Sequence, residues 1–238
     1  MTTRRIMFLL LVIADLAALP LVARAQSFSD PDAVSAGSAA TGRFEKIDLT
    51  YTRPTEKIKV HNYLFDALGP YPIVGAAAVA GINQAYNTPP EWGQGAAGFG
   101  RRFGSDFGIA AVSTTTRYAL AEAFREDTLY YRCDCTGVLP RLKHAVTSTF
   151  TARRGAGGHE IFSPAAIVSP YAGTMTAVYG WYPDRFGAKD AFRMGNYNLL
   201  MFVGGNISLE FLYSGPHSLL SRMHLNNTHA APEPGSGR

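Results

Sequence analysis

The apolar positions of this chain come in long alanine-rich runs, and few stretches show the every-second-residue alternation of a strand. Turn residues interrupt the runs at Gly69-Pro70, Thr88-Pro89-Pro90, Cys133 to Gly137, Arg153 to Gly158 and Tyr182-Pro183-Asp184. Between these breaks the pattern predicts helices over Thr55 to Leu68, Pro72 to Tyr86, Gly95 to Arg125, Leu139 to Thr151, Ser163 to Gly180 and Phe186 to Tyr213. Ser163-Pro164 reads as a helix start, with serine as cap and proline in the first turn, where its missing N–H costs nothing. In the fourth segment Leu142, Ala145, Val146, Thr149 and Phe150 share one stripe, which leaves His144 on the opposite, watered side. One stretch, "KIDLTYT" from Lys46 to Thr52, alternates like a strand without a visible partner. The expectation is a single-domain all-α bundle of about five or six helices with close-packed Gly/Ala-rich faces and little or no sheet.

The third segment carries a second pattern. Ala96, Gly100, Gly104 and Gly108 recur every four residues, and Phe99, Phe103 and Phe107 recur on the adjoining row. At 100° per residue this makes a trough beside a ridge. Each interior glycine costs a helix about 1 kcal/mol relative to alanine, so the repeat predicts a packing role, a glycine zipper against a neighbouring helix. The small side chains from Val74 to Tyr86 predict the partner, an αα-hairpin closed across Thr88 to Glu91. Arg102 and Asp106 fall on the reverse face and are expected in water as a weak i,i+4 pair. Small-xxx-small faces also associate in lipid, which leaves a membrane version open.

The same letters begin like the dinucleotide fingerprint G-x-G-x-x-G. That fingerprint needs a strand before it and an acidic residue about 20 positions on. Here "NTPPEW" precedes it and "TTTRYALAEA" follows, so no dinucleotide is expected.

The N-terminus has Arg4 and Arg5, an apolar run from Ile6 to Val22, and Ala23-Arg24-Ala25, the order of a cleaved export signal. Cleavage after Ala25 would remove Arg4, Arg5, Arg24 and Asp15 and lower the formal charge from +4 to +2. So small a charge gives no electrostatic case for nucleic acid. Residues 26–44 and 225–238 are poor in large apolar side chains and read as a disordered leader and tail around a helical domain of 45–224. The longest apolar or small run within that domain, Tyr71 to Ile82, falls short of the roughly 20 residues a bilayer span needs, and no further transmembrane helix is expected.

Candidate chemistry is sparse. The six histidines show no paired helical spacing, and no metal site or cofactor is expected. The densest polar cluster is "FREDTLYYR", with Arg125, Glu126, Asp127, Tyr130, Tyr131 and Arg132. Adjacent carboxylates do acid/base work when the fold separates their environments. The commoner use of such a cluster is to end a helix and tie down a loop through Arg–carboxylate bonds, which is the expectation here. Trp92, Trp181 and Tyr182 line a pocket or pin loops to a core, and aromatics beside prolines favour the second. The only cysteines, Cys133 and Cys135, are a redox pair or two neighbouring loop thiols. A bridge across one residue would close a small, easily reduced ring, and with no C-x-x-C in a βαβ setting two loop thiols are expected.

The run "AGINQAYNTPPEWGQGAAGFGRRFGSDFG", then "EDTLYYR", Arg141 with His144, and "LEF" at Leu209 to Phe211 resemble a family of uncharacterised exported bacterial proteins. Its blocks read A-G-x-x-Q, G-Q-G-x-x-G-[FY]-G-x-R-[FY]-G, [ED]-D-x-x-Y-[FY]-R and E-F-W-P-D. The likeness spans most of Lys57 to Phe211, and the last block departs, reading Glu210-Phe211-Leu212-Tyr213. The resemblance implies export and a helical fold, and brings no activity. Function is expected to be that of a non-catalytic cell-envelope module, in the periplasm or at the outer membrane, binding an envelope protein or a membrane surface. A lipid or small-molecule binding module and an unrecognised hydrolase are the alternatives.

Overall fold

The computed structural model describes residues 51–131, 133 and 135–212. The expected export signal, the leader, residues 46–50 of the strand-like stretch, Arg132 and the tail lie outside the described residues.

The described chain is mostly helical. Its helices are α1 (Glu56–Leu68), α2 (Pro70–Ala85), α3 (Gly95–Phe124), α4 (Val138–Thr147), α5 (Pro164–Gly180) and α6 (Ala188–Leu212), with a 3-10 turn at Pro90–Trp92. Ser163 caps α5 by accepting the Ala166 N–H at 3.1 Å, and Pro164 follows in the first turn. Helix α3 stops where Arg125 turns left-handed at φ 57°, and the chain reverses.

A small antiparallel sheet follows that reversal, in the order β1 (Glu126–Asp127), β2 (Thr151–Arg154), β3 (His159–Phe162). Thr151, expected as the last residue of a helix, instead pairs with Phe162, and Glu126 pairs with Arg154. The hairpin turns where Gly155 and Gly158 take φ of 69° and 63°, conformations that glycine adopts freely.

Helix α3 is the central rod. It packs against α1, α2 and α5, while α6 packs against α5 and α4. Helices α2 and α3 form the expected hairpin. The zipper trough, however, is not its seam, and that expectation is corrected: Ala96, Gly100 and Gly104 are exposed, and a Cβ added at Gly100 or Gly104 would meet nothing within 4 Å. Gly108 alone of that row is covered, by the Trp181 ring. The phenylalanine ridge does form, with Phe103 stacked at 6.4 Å from Phe99 and 6.1 Å from Phe107.

The row of α3 that turns inward is Gly98, Arg102, Ser105, Ile109 and Ser113. Its closest neighbour is α5, where a Cβ on Gly173 would strike the Ser113 side chain and the Ile109 carbonyl. On α2 the inward row is Pro72, Ala76 and Ala80. Nine of the twelve buried apolar residues described are alanines, the others being Ile109, Val178 and Tyr182. Small side chains thus let the helices approach closely.

Candidate functional site

Three polar clusters hold this interior together. The first is built on Arg102, whose side chain is fully buried. Its Nε donates to the Thr88 carbonyl at 2.8 Å, and Nη1 donates to Gln84 Oε1 at 2.5 Å and the Gly93 carbonyl at 2.7 Å. Nη2 donates to the Pro89 carbonyl at 3.0 Å and Asn87 Oδ1 at 3.4 Å. All five guanidinium N–H groups are thereby used. The expected solvated pair is corrected: the loop after α2 offers a ring of oxygens, and a planar fork with five donors fills it.

This cluster accounts for the glycines in "GQGAAG". Gly93 and Gly95 take φ of 72° and 74°, and a side chain on Gly98 would collide with the Gly93 carbonyl and meet Arg102 Nη1. One turn on, Asp106 accepts from Asn83 Nδ2 at 3.5 Å. Burial raises its carboxyl to about 7, against the opposing effects of Asn83 and Arg102. Trp181 Nε1 donates to Ser105 Oγ at 2.8 Å, and Trp92 lies 4.8 Å from the Tyr182 ring, so these aromatics pin loops to the core.

The second cluster gathers the "EDTLYYR" residues at β1. Asp127 accepts from the Tyr51 hydroxyl at 2.9 Å, the Tyr131 hydroxyl at 2.6 Å and the Leu129 N–H at 3.0 Å. Burial and then the Asp127 charge push both phenols well above the usual tyrosine range, so they stay protonated donors. Arg153 covers the Tyr131 ring at 4.5 Å and the Tyr51 ring at 5.3 Å. Glu126 accepts from Ser163 Oγ at 2.5 Å through Oε2, while its Oε1 is buried with no hydrogen-bond partner among the described residues. Burial raises its carboxyl, opposed by Ser163 and the charges of Arg154 and Arg117. The loop is tied down by tyrosine hydroxyls, a serine and Arg117, whose Nη2 donates to the Thr128 carbonyl at 3.3 Å; Arg125 itself is exposed.

The third cluster centres on Glu210, fully buried near the end of α6. It accepts from Arg141 Nε at 2.8 Å, the Tyr130 hydroxyl at 2.7 Å and the Cys133 N–H at 3.3 Å, and Arg141 also donates to its backbone carbonyl. Burial pushes the carboxyl up, but these donors and the Arg141 charge more than offset it and hold Glu210 below the usual carboxylate range. Arg141 stacks on Phe211 at 4.7 Å. His144, expected in water, is half-buried: its Nε2 lies 2.8 Å from the Tyr131 carbonyl and 3.3 Å from Ser148 Oγ, and its ring is 5.9 Å from Tyr130. The expectation of two separate loop thiols is also corrected, because Cys133 and Cys135 are joined by a disulfide.

The structure therefore brings Tyr130, Tyr131, Arg141 and His144 into adjoining clusters. It does not join Glu126, Asp127 and His144 in one constellation: among the described residues no hydrogen bond links any two of the three. Glu126 and Asp127 are 3% and 8% exposed, which leaves no face for a substrate. A shallow recess of 180 Å³ lined by Lys57, Ile58, His61 and Asn62 is well below the usual size of a ligand pocket. Among the described residues no group of three or more His, Cys, Asp or Glu is arranged to hold a metal ion. Sequence reading missed Gln84, Asn87 and Ser163 as polar partners. Their signal was faint, since each looks like an ordinary helix-end or cap residue.

The outer surface completes the picture. The α2 segment contains no charged residue, and Ile73, Val74 and Ile82 are exposed on it, as are Val60, Leu64 and Leu68 on α1. Glu56–Ala85 is, among the described residues, long and apolar enough to cross a membrane by length and composition, and 22% of its most apolar window is buried. The run is longer than expected because α2 follows α1 across Gly69 alone. A second apolar group, Phe192, Leu200 and Met201, is exposed on α6.

Compared with protein-family models, curated proteins and solved structures, the chain matches none.

Proposed function

We propose that this protein is an exported, non-catalytic module of the cell envelope that attaches to a membrane surface through the outer face of α1 and α2. Its kinship with the exported helical family of the GQGxxGFGxRFG and EDxxYYR blocks is part of the same proposal. The observation that carries the reading is an inverted distribution of side chains. Arg102, Glu210, Asn62, Ser113, Ser169 and Thr174 are fully buried among alanines, while Ile73, Val74, Ile82, Leu200 and Met201 face outward. In water the hydrophobic effect drives the opposite arrangement. Against lipid, large apolar side chains rest outside and small residues make the helix contacts. An apolar face this extended marks an interaction site.

The test is fractionation of cells expressing the full chain. The reading expects the protein in the membrane pellet, retained through a high-salt wash and released by mild detergent. Recovery as a monodisperse species in the detergent-free soluble fraction would overturn it. The 180 Å³ recess beside Asn62 is below the usual size of a ligand pocket and lends no support to lipid or small-molecule carriage.

A further inference from the structure

The loop between β1 and α4 carries the chain's two cysteines, joined to each other and each half-exposed. A bridge with a sequence separation of 2 closes so short a loop that it removes little freedom from the unfolded chain. Stability is therefore a weak reason for it to exist. The loop is held in place by other means: Tyr130 and the Cys133 N–H are both bonded to the buried Glu210, whose charge is matched by Arg141. Tyr131, next along, is bonded to Asp127, and its carbonyl lies against His144. Breaking the sulfur–sulfur bond leaves these anchors intact, so the two sulfurs would stay within reach of each other.

The sulfurs are also unequal. The Cys135 N–H donates to Cys133 Sγ at 3.2 Å, an interaction that favours negative charge on that sulfur. In thiol–disulfide exchange the better-stabilised thiolate is the better leaving group.

From this geometry we propose that Cys133–Cys135 is a transferable disulfide, which oxidises dithiols, such as pairs of cysteines in an extended polypeptide, with Cys133 as the leaving sulfur. A thiolate of the dithiol attacks Cys135 Sγ, the bridge breaks, and Cys133 departs as a thiolate. The second thiolate of the dithiol then attacks its own sulfur in the mixed disulfide and expels Cys135. The dithiol gives up two electrons and two protons, and the cysteine pair takes up both. This step is independent of membrane attachment, which it neither needs nor tests.

The experiment equilibrates the purified full chain in glutathione buffers of graded reduced-to-oxidised ratio, quenches with acid, alkylates and counts modified thiols by mass. The expected result is conversion of the pair from disulfide to dithiol within that series, with an unchanged helical circular-dichroism spectrum. A pair that stays bridged in the most reducing buffer, or a reduction that unfolds the helices, overturns the proposal. A second measurement mixes the oxidised protein with a short peptide carrying two cysteines. The peptide should close its disulfide at least ten times faster than with oxidised glutathione at equal concentration, and no acceleration overturns the proposal. Peptide mapping of the early glutathione adduct should find it at least tenfold more on Cys135 than on Cys133, and equal labelling overturns the assigned leaving sulfur.

Discussion

Arg102 Nη1 lies 2.5 Å from Gln84 Oε1, a bond that ties the middle of α3 to the end of α2 beneath the protein surface. It belongs to a set in which one guanidinium satisfies oxygens from five residues of the connecting loop and its flanks. Removing it strands those oxygens, and each buried unsatisfied acceptor costs about 1–3 kcal/mol. Arg102→Met is expected to destabilise the fold by about 3 kcal/mol or more. Arg102→Lys should recover only part of that, since a point-charge ammonium cannot serve five fixed positions. Chemical denaturation of the two variants beside the wild type checks both, and a wild-type midpoint for Arg102→Met would contradict the role given to this residue.

Glycine substitutions in α3 should differ in sign along the same helix. Gly98→Ala places a Cβ against the Gly93 carbonyl and is expected to destabilise by several times RT, of order 2 kcal/mol. Gly100→Ala and Gly104→Ala enter open space and should stabilise by about 0.5–1 kcal/mol, because alanine loses less entropy in a helix. Thermal melting ranks the three, and a loss of stability at Gly104 comparable to that at Gly98 would restore the buried trough.

Asp106 gives stability a pH slope of definite sign. Its carboxyl titrates at about 7 in the folded protein, against 3.8 as the ordinary value, because burial penalises the charge. Between these values the folded state holds a proton that the unfolded chain has lost, so stability falls as pH rises from about 4 to 7. Asp106→Asn should flatten that slope, melting higher than wild type at pH 8 and near it at pH 4. Parallel slopes for the two proteins would remove Asp106 from this role.

Glu210 should act in the opposite direction. Its folded carboxyl lies below the ordinary range, so its contribution is present above that range and is lost as pH falls through the folded value. Arg141→Ala leaves a buried carboxylate without its cation and is expected to cost about 3–5 kcal/mol at pH 7. The deficit should narrow in acid, where the variant's Glu210, without its cation, takes up a proton that the wild type does not. Urea titrations of the variant at pH 7 and pH 4 measure it, and an equal deficit at both would show that the charge pair is not its source.

Charges on the outer face of α2 should separate attachment from folding. Ile73→Asp with Ile82→Asp alters two exposed positions, 44% and 58% accessible, and is expected to leave the helical spectrum unchanged while moving the protein from the membrane pellet to the soluble fraction. A doubly substituted protein that still pellets and still needs detergent would place the attachment elsewhere.

The helices were legible because alanine-rich runs were bounded by proline and glycine, and every predicted segment lies within four residues of an observed helix at either end. The sheet was not. Strands of two to four residues are too short to show alternation, and Thr151 to Arg154 continues from α4 with no break until the turn glycines. The facing of α3 was lost for a different reason. Local hydropathy sends an arginine outward, and what turns Arg102 inward is a set of carbonyls 9 to 14 residues earlier, which no helical periodicity reports. The polar cluster at Glu126 to Tyr131 was visible as a cluster, but its partners were not. Tyr51, Ser163 and Arg153 lie 22 to 76 residues along the chain from the cluster residues they meet.

The carboxylate that grips the cysteine loop belongs to the last described helix, 77 residues beyond Cys133. A polypeptide emerging from the ribosome therefore presents both thiols well before their clamp has been synthesised. A chain cut short of Glu210 would carry both cysteines without the carboxylate that anchors their loop.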